Sequence, residues 1–394
     1  MKQLLFLAHR IPYPPNKGDK IRSFHELKAL STDYNIDLIT FIDSKSDIVY
    51  QNKLFEYCSN IYIYYLNKIT GLFYALIFFV IGKSLSEGYY FNFMLYFRLK
   101  SLLKEKNYEA IFCYSAQIAQ YVLKLRNIKL IMDFVDVDSD KWRQYSTQKK
   151  FPLNVIYKIE FKRLLKFEKN ISENFLLSFF STDLESKIFK NHGACGNIHV
   201  VNNGVDSQYF HPMDAKKENA LVFVGAMDYY PNIDAVTWFV NNVFLHLVEK
   251  LPYLIFYIVG SNPTKQIKEL GNLNPNIIVT DFVNDVRPYL AKSKFAIMPI
   301  RIARGIQNKV LEAMAMAIPV IISEKIYTSL SNLNRNDVFI YKDAEELLQL
   351  IVNNIDKNEW LSEKGNNLRN YVINNYSWDQ NLDYMKSKIK NLEF

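Results

Sequence analysis

The sequence predicts an α/β protein made of two doubly wound domains, each built around a parallel sheet. With 394 residues, 49% of them hydrophobic, the chain exceeds the usual limit for one core and is too apolar to be disordered. Continuous apolar runs recur between longer helical patterns, which is typical of parallel strands covered by helices on both faces. The first series of runs lies at 4–8, 36–42, 61–66, 110–114, 130–135, 175–180 and 199–201, and the second at 221–224, 255–259, 277–283, 295–300, 320–322 and 338–341.

A polar segment separates the two series, because Gly204 and Pro212 interrupt the apolar pattern there. We therefore expect an N-terminal domain over residues 1–205 and a C-terminal domain over residues 206–376. Ser377 is a suitable N-cap for a last helix, which we place at 377–394. Ligands of such sheets bind beyond the carboxyl ends of the strands, so the cleft between the domains is the expected site.

The most informative segment is 305–323, which joins a loop, a helix and a buried strand. Good helix formers occupy 309–317, and Pro319 ends this helix before the next apolar strand. Gly305 allows close approach of a ligand, and the helix N-terminus attracts a diphosphate, to which Lys309 adds a full positive charge. Glu312 lies one turn further along and can accept hydrogen bonds from sugar hydroxyls. This order of features suits a nucleotide-sugar site.

The segment Lys309-Val-Leu-Glu-Ala-Met-Ala, followed by Pro319 and Val320, resembles the nucleotide-sugar motif of the family 4 retaining glycosyltransferases. The resemblance covers nearly the whole chain. Residues 203–206 resemble the interdomain segment of that family, and the strands that end at Gly225 and Gly260 resemble its first two C-terminal strands. Segments 14–22 and 133–142 resemble a narrower branch, the exosortase-associated sugar transferases of exopolysaccharide loci.

The resemblance implies the GT-B fold, in which two Rossmann-like domains flank a cleft and a C-terminal helix crosses back onto the first domain. It implies a retaining glycosyltransferase that moves a sugar from a nucleotide-sugar donor to a lipid-linked saccharide or polysaccharide precursor at the cytoplasmic membrane face. No cofactor and no metal are expected. Two alternatives stay open: a catalytically degenerate scaffold that keeps the nucleotide pocket, and a GT-B nucleotide-sugar epimerase, which the scarcity of histidines disfavours.

The resemblance also implies which residues form the site, since stabilising the departing diphosphate is usually the largest catalytic contribution. The family pattern has an Arg and a Lys after the first C-terminal strand, but residues 225–232 contain neither base, and Arg304 replaces the first of two expected glutamates. We predict Asp136, Lys309 and Glu312 as catalytic residues. The predicted donor-binding residues are Gly18, Arg22, Gly225, Arg301, Arg304, Gly305, Asn308, Lys309 and Glu312.

Asp136 is assigned to the acceptor side because the His expected near that strand end has no counterpart between His25 and His192. His9, at the end of the first strand, is an alternative for the same task. Asp136, Asp138 and Asp140 alternate in a way that can suit a hard cation. Their spacing lacks the Gly and the distal Glu of a calcium loop, so we predict no metal site.

Charge and cysteine content narrow the partners and the compartment. The net charge of +8 is spread along the chain without a basic block rich in aromatics, so we expect no nucleic-acid partner. An anionic membrane surface or a phosphorylated substrate is favoured instead. Three cysteines without metal-ligand spacing, and a first apolar run that ends at once in His9 and Arg10, favour a cytoplasmic protein without a secretion signal.

The longest apolar run, 72–81, begins at Leu72, ends at Ile81 and is flanked by Lys68 and Lys83. Ten residues are too few for a membrane-spanning helix, which needs about 20. The run suits a helix lying in the bilayer interface, but a buried helix of the N-terminal domain has the same pattern. We expect peripheral contact with the inner membrane face. The donor sugar, the nucleotide base, the acceptor and the oligomeric state cannot be derived from the sequence.

Overall fold

The computed structural model describes residues 1–301 and 306–392, and their contacts divide the chain into two compact units. The first unit contains Met1–Asn202 and the residues from Asp379 onward, and the second contains Asn203–Trp378. Arg304 and Gly305, which the sequence assigns to the donor site, lie outside the described residues.

The first unit is built on a parallel sheet of seven strands in the order β3-β2-β1-β4-β5-β6-β7. The strands are β1 (Lys2–Ala8), β2 (Tyr34–Ile42), β3 (Asn60–Tyr65), β4 (Ala110–Tyr114), β5 (Lys129–Val135), β6 (Leu177–Phe180) and β7 (Ile198–Val200). The helices are α1 (Gly18–Leu30), α2 (Gln51–Leu54), α3 (Lys68–Val80), α4 (Leu85–Tyr89), α5 (Phe93–Glu105), α6 (Asp138–Gln148), α7 (Leu153–Asn174) and α8 (Asp183–Asn191), with 3₁₀ turns at Lys45–Tyr50 and Ala116–Tyr121.

The second unit is built on a parallel sheet of six strands in the order β10-β9-β8-β11-β12-β13. The strands are β8 (Ala220–Val224), β9 (Ile255–Val259), β10 (Ile277–Val279), β11 (Phe295–Met298), β12 (Val320–Ser323) and β13 (Phe339–Tyr341). The helices are α9 (Tyr230–Phe239), which a π-helical turn at Val240–Phe244 joins to α10 (Leu245–Lys250), then α11 (Lys265–Leu270), α12 (Arg287–Lys292), α13 (Asn308–Ala315), α14 (Glu324–Tyr327), α15 (Ala344–Asn354) and α16 (Asn358–Asn375), with a 3₁₀ turn at Arg335–Asp337.

The last helix, α17 (Trp378–Lys390), packs within the first unit from Asp379 onward. Its Tyr384 hydroxyl lies 2.9 Å from His199 Nδ1, and its Lys386 ammonium lies 3.2 Å from Asp33 Oδ2. These contacts join the end of the chain to the sheet and to the turn after α1.

Both sheets are doubly wound, as the sequence predicts, and each predicted apolar run overlaps one of the strands. The strand order reverses between β1 and β4 in the first unit and between β8 and β11 in the second. Ligands of doubly wound sheets bind beyond the carboxyl ends of the strands at this reversal. The loops after β1, β4, β8 and β11 are therefore the parts of each unit to search for a site.

Helix α13 ends earlier than its sequence predicts. Ala317 adopts a left-handed φ of 56°, and the Ile318 N–H donates to the Ala313 carbonyl, which closes the helix after Ala315 in a Schellman motif. Gly365 of α16 packs directly on this turn, because a Cβ at Gly365 would lie 2.0 Å from the Ala317 carbonyl oxygen. The position and the end of α13 are thus fixed by a neighbouring helix.

Candidate functional site

Lys309 and Glu312 lie on one face of α13, the helix that follows β11. The Lys309 Nζ atom lies 2.5 Å from Asn232 Oδ1 and 4.6 Å from the centre of the Phe223 ring. Asn232 is buried at the start of α9, and its Nδ2 donates to the Ala226 carbonyl at 2.8 Å. The loop after β8 therefore holds the amide that positions the Lys309 ammonium. The sequence assigns no role in the site to Asn232, because this contact joins residues far apart in the chain.

Burial shifts the pKa of both ionisable groups on α13 towards neutrality. It lowers the pKa of Lys309 to about 8, an effect that the charge of Glu312 only partly offsets. It raises the pKa of Glu312 to about 7, against the opposing influence of Lys309. Groups whose pKa is shifted by burial beside one charged partner are typical of functional sites.

Asn308 precedes Lys309 and presents an unused donor. Its side-chain oxygen accepts from Asn203 Nδ2 at 3.3 Å, but its buried Nδ2 has no hydrogen-bond partner among residues 1–301 and 306–392. Buried amide groups without a partner are uncommon in folded proteins. The N-terminus of α13 thus combines a free donor with an ammonium group, and this pairing suits an anionic ligand.

Gly225 directly follows β8 and leaves room for the Lys309 side chain. A Cβ at this position would lie 2.7 Å from Asn232 Nδ2 and 3.0 Å from Lys309 Nζ. Gly260 approaches the same loop even more closely, since its Cβ would lie 1.7 Å from the Gly225 carbonyl oxygen. The glycine at 225 is therefore required at least for the packing of Lys309, besides any contact with a ligand.

Arg301 is already paired with a carboxylate. Its Nη2 lies 2.5 Å from Asp234 Oδ1 and its Nε 3.1 Å from Asp234 Oδ2, although about half of the side chain (51%) is exposed. A phosphate would have to share or displace Asp234 to reach this guanidinium. Among the predicted phosphate-binding bases that the structure describes, Lys309 is the better placed.

The first unit has a polar cluster after β1. The Arg10 guanidinium lies 2.5 Å from Asp19 Oδ2 and 2.7 Å from Asp43 Oδ2, and His9 Nε2 lies 3.6 Å from Asp19. Burial alone would raise the pKa of Asp19. The neighbouring His9 and Arg10 outweigh this effect and hold the pKa of Asp19 well below its usual range. Gly18, at the start of α1 beside this cluster, is not sterically required, because a Cβ there would meet no atom within 4 Å.

The three aspartates after β5 do not converge on one point. Asp136 accepts from Ser181 Oγ at 3.1 Å, and Asp138 accepts from Lys141 Nζ at 2.6 Å and from Gln117 Nε2 at 2.9 Å. Asp140 is buried and faces Arg143 and His192. Over the described ranges of the chain, no group of three His, Cys, Asp or Glu side chains could hold a metal ion.

Asp136 and Asp138 share Lys141, whose Nζ lies 3.7 Å from Asp136 Oδ2. Lys141 and Gln117 also lower the pKa of Asp138, although burial alone would raise it. Asp138 therefore carries a stable negative charge two residues from the predicted acceptor-side residue. The sequence did not single out Gln117, which reaches Asp138 from the 3₁₀ turn after β4.

Arg22 corrects the sequence interpretation, because its side chain is fully buried (0% exposed). Its Nη2 lies 2.6 Å from Asp133 Oδ2, its Nε 3.0 Å from Glu26 Oε1, and its Nη1 donates to the Val201 carbonyl at 2.7 Å. These contacts tie α1 to β5 and to the end of the β7 segment. Arg22 is thus part of the core of the first unit and does not reach a ligand in this conformation.

Comparison with known proteins agrees with this architecture. Residues 218–357 match the family model for glycosyl transferases group 1, and this range contains β8 to β13 with the Lys309 and Glu312 site. The fold is GT-B. Sucrose-phosphate synthase from Thermosynechococcus elongatus superposes with a TM-score of 0.72 at 15% identity, over 99% of this chain and 98% of that one.

Two further GT-B structures are similar over the whole chain. HepE from Anabaena, solved in complex with UDP and glucose, has a TM-score of 0.70 at 12% identity and full coverage of both chains (100%). WaaG, a glycosyltransferase involved in lipopolysaccharide biosynthesis, has a TM-score of 0.64 at 16% identity over 97% of this chain and 99% of its own. No curated protein sequence matches the chain. The exosortase-associated branch stays a prediction.

Proposed function

We propose that this GT-B protein is a retaining glycosyltransferase that uses a nucleotide-sugar donor. The observation that carries the proposal is the half-buried Lys309 and Glu312 pair at the start of α13, within the segment that matches group 1 glycosyltransferases. HepE, which shares the fold, was solved with UDP and glucose. We further propose a lipid-linked saccharide or polysaccharide precursor as acceptor, in exopolysaccharide biosynthesis at the cytoplasmic membrane face.

In this proposal the N-terminus of α13 stabilises the departing diphosphate. The Lys309 ammonium and the free Asn308 Nδ2 supply positive charge and a hydrogen bond, in surroundings where partial burial strengthens both. Glu312 accepts hydrogen bonds from the ribose hydroxyls of the donor nucleotide. On the acceptor side, Asp136 orients the attacking hydroxyl. The negative charge of the nearby Asp138 stabilises the positive charge that develops on the sugar ring. No metal takes part in this scheme.

One nucleotide is expected to stabilise the protein against heat. At about 100 times its Kd a ligand adds about 2.7 kcal/mol to the free energy of unfolding. The melting temperature is measured with UDP, GDP, ADP and CMP at matched concentrations, with and without Mg²⁺. We expect one of the four nucleotides to raise the melting temperature, by the same amount with and without Mg²⁺. The shift should disappear in Glu312→Gln and persist in Glu363→Gln, a control at an exposed site on α16.

Turnover then separates the enzyme from its alternatives. An enzyme is expected to release the nucleotide from its sugar donor, slowly when the sugar passes to water and faster when a membrane extract supplies an acceptor. Tight binding without turnover on any donor would favour the degenerate scaffold, and isomerisation of the donor sugar would favour the epimerase. A protein that no nucleotide stabilises would contradict the proposed donor site.

Nucleotide affinity is expected to depend on pH in a bell-shaped manner with a maximum between about 7 and about 8. A diphosphate binds the protonated form of Lys309, so affinity falls by up to about tenfold per pH unit above the lowered pKa. Below about 7, Glu312 becomes protonated and loses acceptor capacity. Calorimetric titration across this range measures both limbs. Lys309→Arg, which stays charged, should flatten the alkaline limb, and an unchanged limb would show that Lys309 does not contact the nucleotide.

A further inference from the structure

Helix α3 presents a continuous apolar face to solvent. Its outward residues recur at intervals of three and four and are between 39% and 79% exposed. Its inner face is held by small residues: Gly71 and Ala75 are buried, and the facing Gly88 of α4 allows such close packing that a Cβ there would lie 2.5 Å from the Tyr74 carbonyl oxygen. The exposed residues of this face are Ile69, Leu72, Phe73, Leu76, Ile77 and Val80, followed by Ile81.

The first turn of α5 extends this apolar face. Phe93, Met94 and Phe97 are each more than half exposed. The two helices are joined by the ring of Phe91, whose centre lies 5.2 Å from that of Tyr74 and 5.3 Å from that of Phe78. A contiguous exposed apolar patch of this kind marks a site of interaction with a protein or a membrane.

The charge around the apolar face is almost entirely positive. Between Leu66 and Lys104 the sequence has five basic residues and one acidic residue, Glu87, which is 5% exposed and caps α4. Glu105 follows Lys104, and both lie at the far end of α5, about 18 Å along the helix from Phe93, where their charges offset each other. The basic residues of this segment are Lys68, Lys83, Arg98, Lys100 and Lys104.

Helix α7 adds a row of lysines to the same surface. Lys158, Lys162 and Lys166 are exposed at intervals of four, whereas Glu160 and Glu168 face inward and one acidic residue, Glu173, is exposed in the last turn of the helix. Burial raises the pKa of Glu168 to about 8, so this group does little to offset the lysines at neutral pH.

Arg163 joins α7 to the end of α3. Its Nη1 donates to the Phe79 carbonyl at 2.5 Å and to the Lys83 carbonyl at 3.1 Å, and its guanidinium stacks on the Phe79 ring at 4.5 Å. The lysine row and the apolar face of α3 are therefore fixed relative to each other. We call the apolar face of α3, the lysine row of α7 and the exposed apolar residues at the start of α5 the α3 surface.

We propose that the α3 surface docks on a lipid bilayer with anionic headgroups. Helix α3 would lie in the plane of the interface, with its apolar face at the acyl boundary and the lysines against the headgroups. Its 13 residues cover about 20 Å, too little to cross a bilayer. In the part of the chain that the structure describes, no helix is long and apolar enough to do so.

A second copy of the chain fits the α3 surface less well. A two-fold interface would bring the same patch of each copy together and place lysines opposite lysines. A bilayer with negative headgroups turns the same charges into attraction. The inference rests on the proposed function only in that a lipid-linked acceptor gives the enzyme a reason to bind a membrane.

The test is co-flotation of the full chain with vesicles of phosphatidylcholine, with and without phosphatidylglycerol. We expect the protein to float with the anionic vesicles and to be released by salt. Phe73→Asp combined with Leu76→Asp should reduce the bound fraction at least about tenfold. Exchanging Lys158, Lys162 and Lys166 together for Gln should weaken the preference for phosphatidylglycerol.

Matched controls lie in the second unit. Leu273→Asp, at another exposed apolar residue, and the joint exchange of Lys216, Lys250 and Lys325 for Gln should leave flotation unchanged. Wild-type protein that does not float, or α3 variants that float like these controls, would overturn the proposal. So would a wild-type dimer that Phe73→Asp converts to a monomer without affecting flotation. The nucleotide-induced thermal shift, measured on every variant, tests the proposed function separately.

Discussion

Lys309→Met is expected to reduce the rate of sugar transfer about 10²- to 10³-fold while leaving the stability of the protein nearly unchanged. Removing one preorganised group that stabilises a developing charge costs roughly this factor. The stability prediction follows from the lowered pKa, since the fold does not favour the charged form of this side chain. The loss of the hydrogen bond to Asn232 is therefore offset by relief from burying an ammonium group. Steady-state kinetics and denaturant titration measure the two effects.

Lys294 provides the matched control, because it is a buried lysine of the same unit with a structural contact. Its Nζ donates to the Ile355 carbonyl at 2.8 Å, at the amino end of β11 and away from α13. Lys294→Met should lower the free energy of unfolding by about 1–3 kcal/mol, because it leaves a buried carbonyl without its donor. Nucleotide binding should persist. If Lys309→Met destabilised the protein as much as Lys294→Met and kept activity, Lys309 would be structural.

The fold was predictable from the sequence because parallel strands covered on both faces must be apolar along their whole length. Runs such as 110–114 and 320–322 contain no polar residue, and each lies in a strand.

The end of α13 was less predictable from the sequence than the strands were. The helix formers continue to Ala317, but packing of α16 at Gly365 accompanies a left-handed turn there. Local propensity does not contain that tertiary contact.

The candidate site was predictable only where its residues are close in sequence. Lys309 and Glu312 share a helical face because they are three residues apart. Asn232 is 77 residues from Lys309, and Asp234 is 67 residues from the Arg301 that it neutralises. Such pairs form when the loops after β8 and β11 meet at the reversal of strand order. The shifted pKa values of Lys309 and Glu312 have the same origin, because the assembled sheet and helices determine how deeply these side chains are buried.

The apolar run 72–81 shows the limit of periodicity. An apolar run of this length is consistent with a buried core helix and with a helix that lies in a membrane interface. The structure distinguishes the two, since Gly71 and Ala75 are buried, Tyr74 and Phe78 pack on Phe91, and the exposed apolar residues lie on the opposite side. The small residues Gly71 and Ala75 were the signal in the sequence that indicated which face of this helix packs against the protein.

Arg22→Met is expected to destabilise the protein by about 3–5 kcal/mol, the usual result of removing one partner from a buried ion pair. Asp133 would remain in the core without its guanidinium partner, and the Val201 carbonyl would lose its donor. Glu26 differs from Asp133, because burial and the neighbouring Asp133 raise its pKa well above the usual range. Glu26 therefore depends less than Asp133 on the Arg22 charge, and Glu26→Gln should change stability by less than about 1 kcal/mol.

Denaturant titration of Arg22→Met and Glu26→Gln, with donor KM measured on both, separates a core role from a binding role for Arg22. A core role predicts a large loss of stability for the first variant, a small one for the second, and a donor KM that stays near the wild-type value in whatever fraction remains folded. The opposite pattern, normal stability of Arg22→Met with a raised KM, would restore the donor contact that the sequence suggested.

The helical spacing explains why a core role and a donor-binding role of Arg22 are hard to tell apart from the sequence. Arg22 and Glu26 are four residues apart on α1, and such a pair is usually a solvated surface pair. Here it faces Asp133 inside the first unit, and only the assembled sheet reveals this.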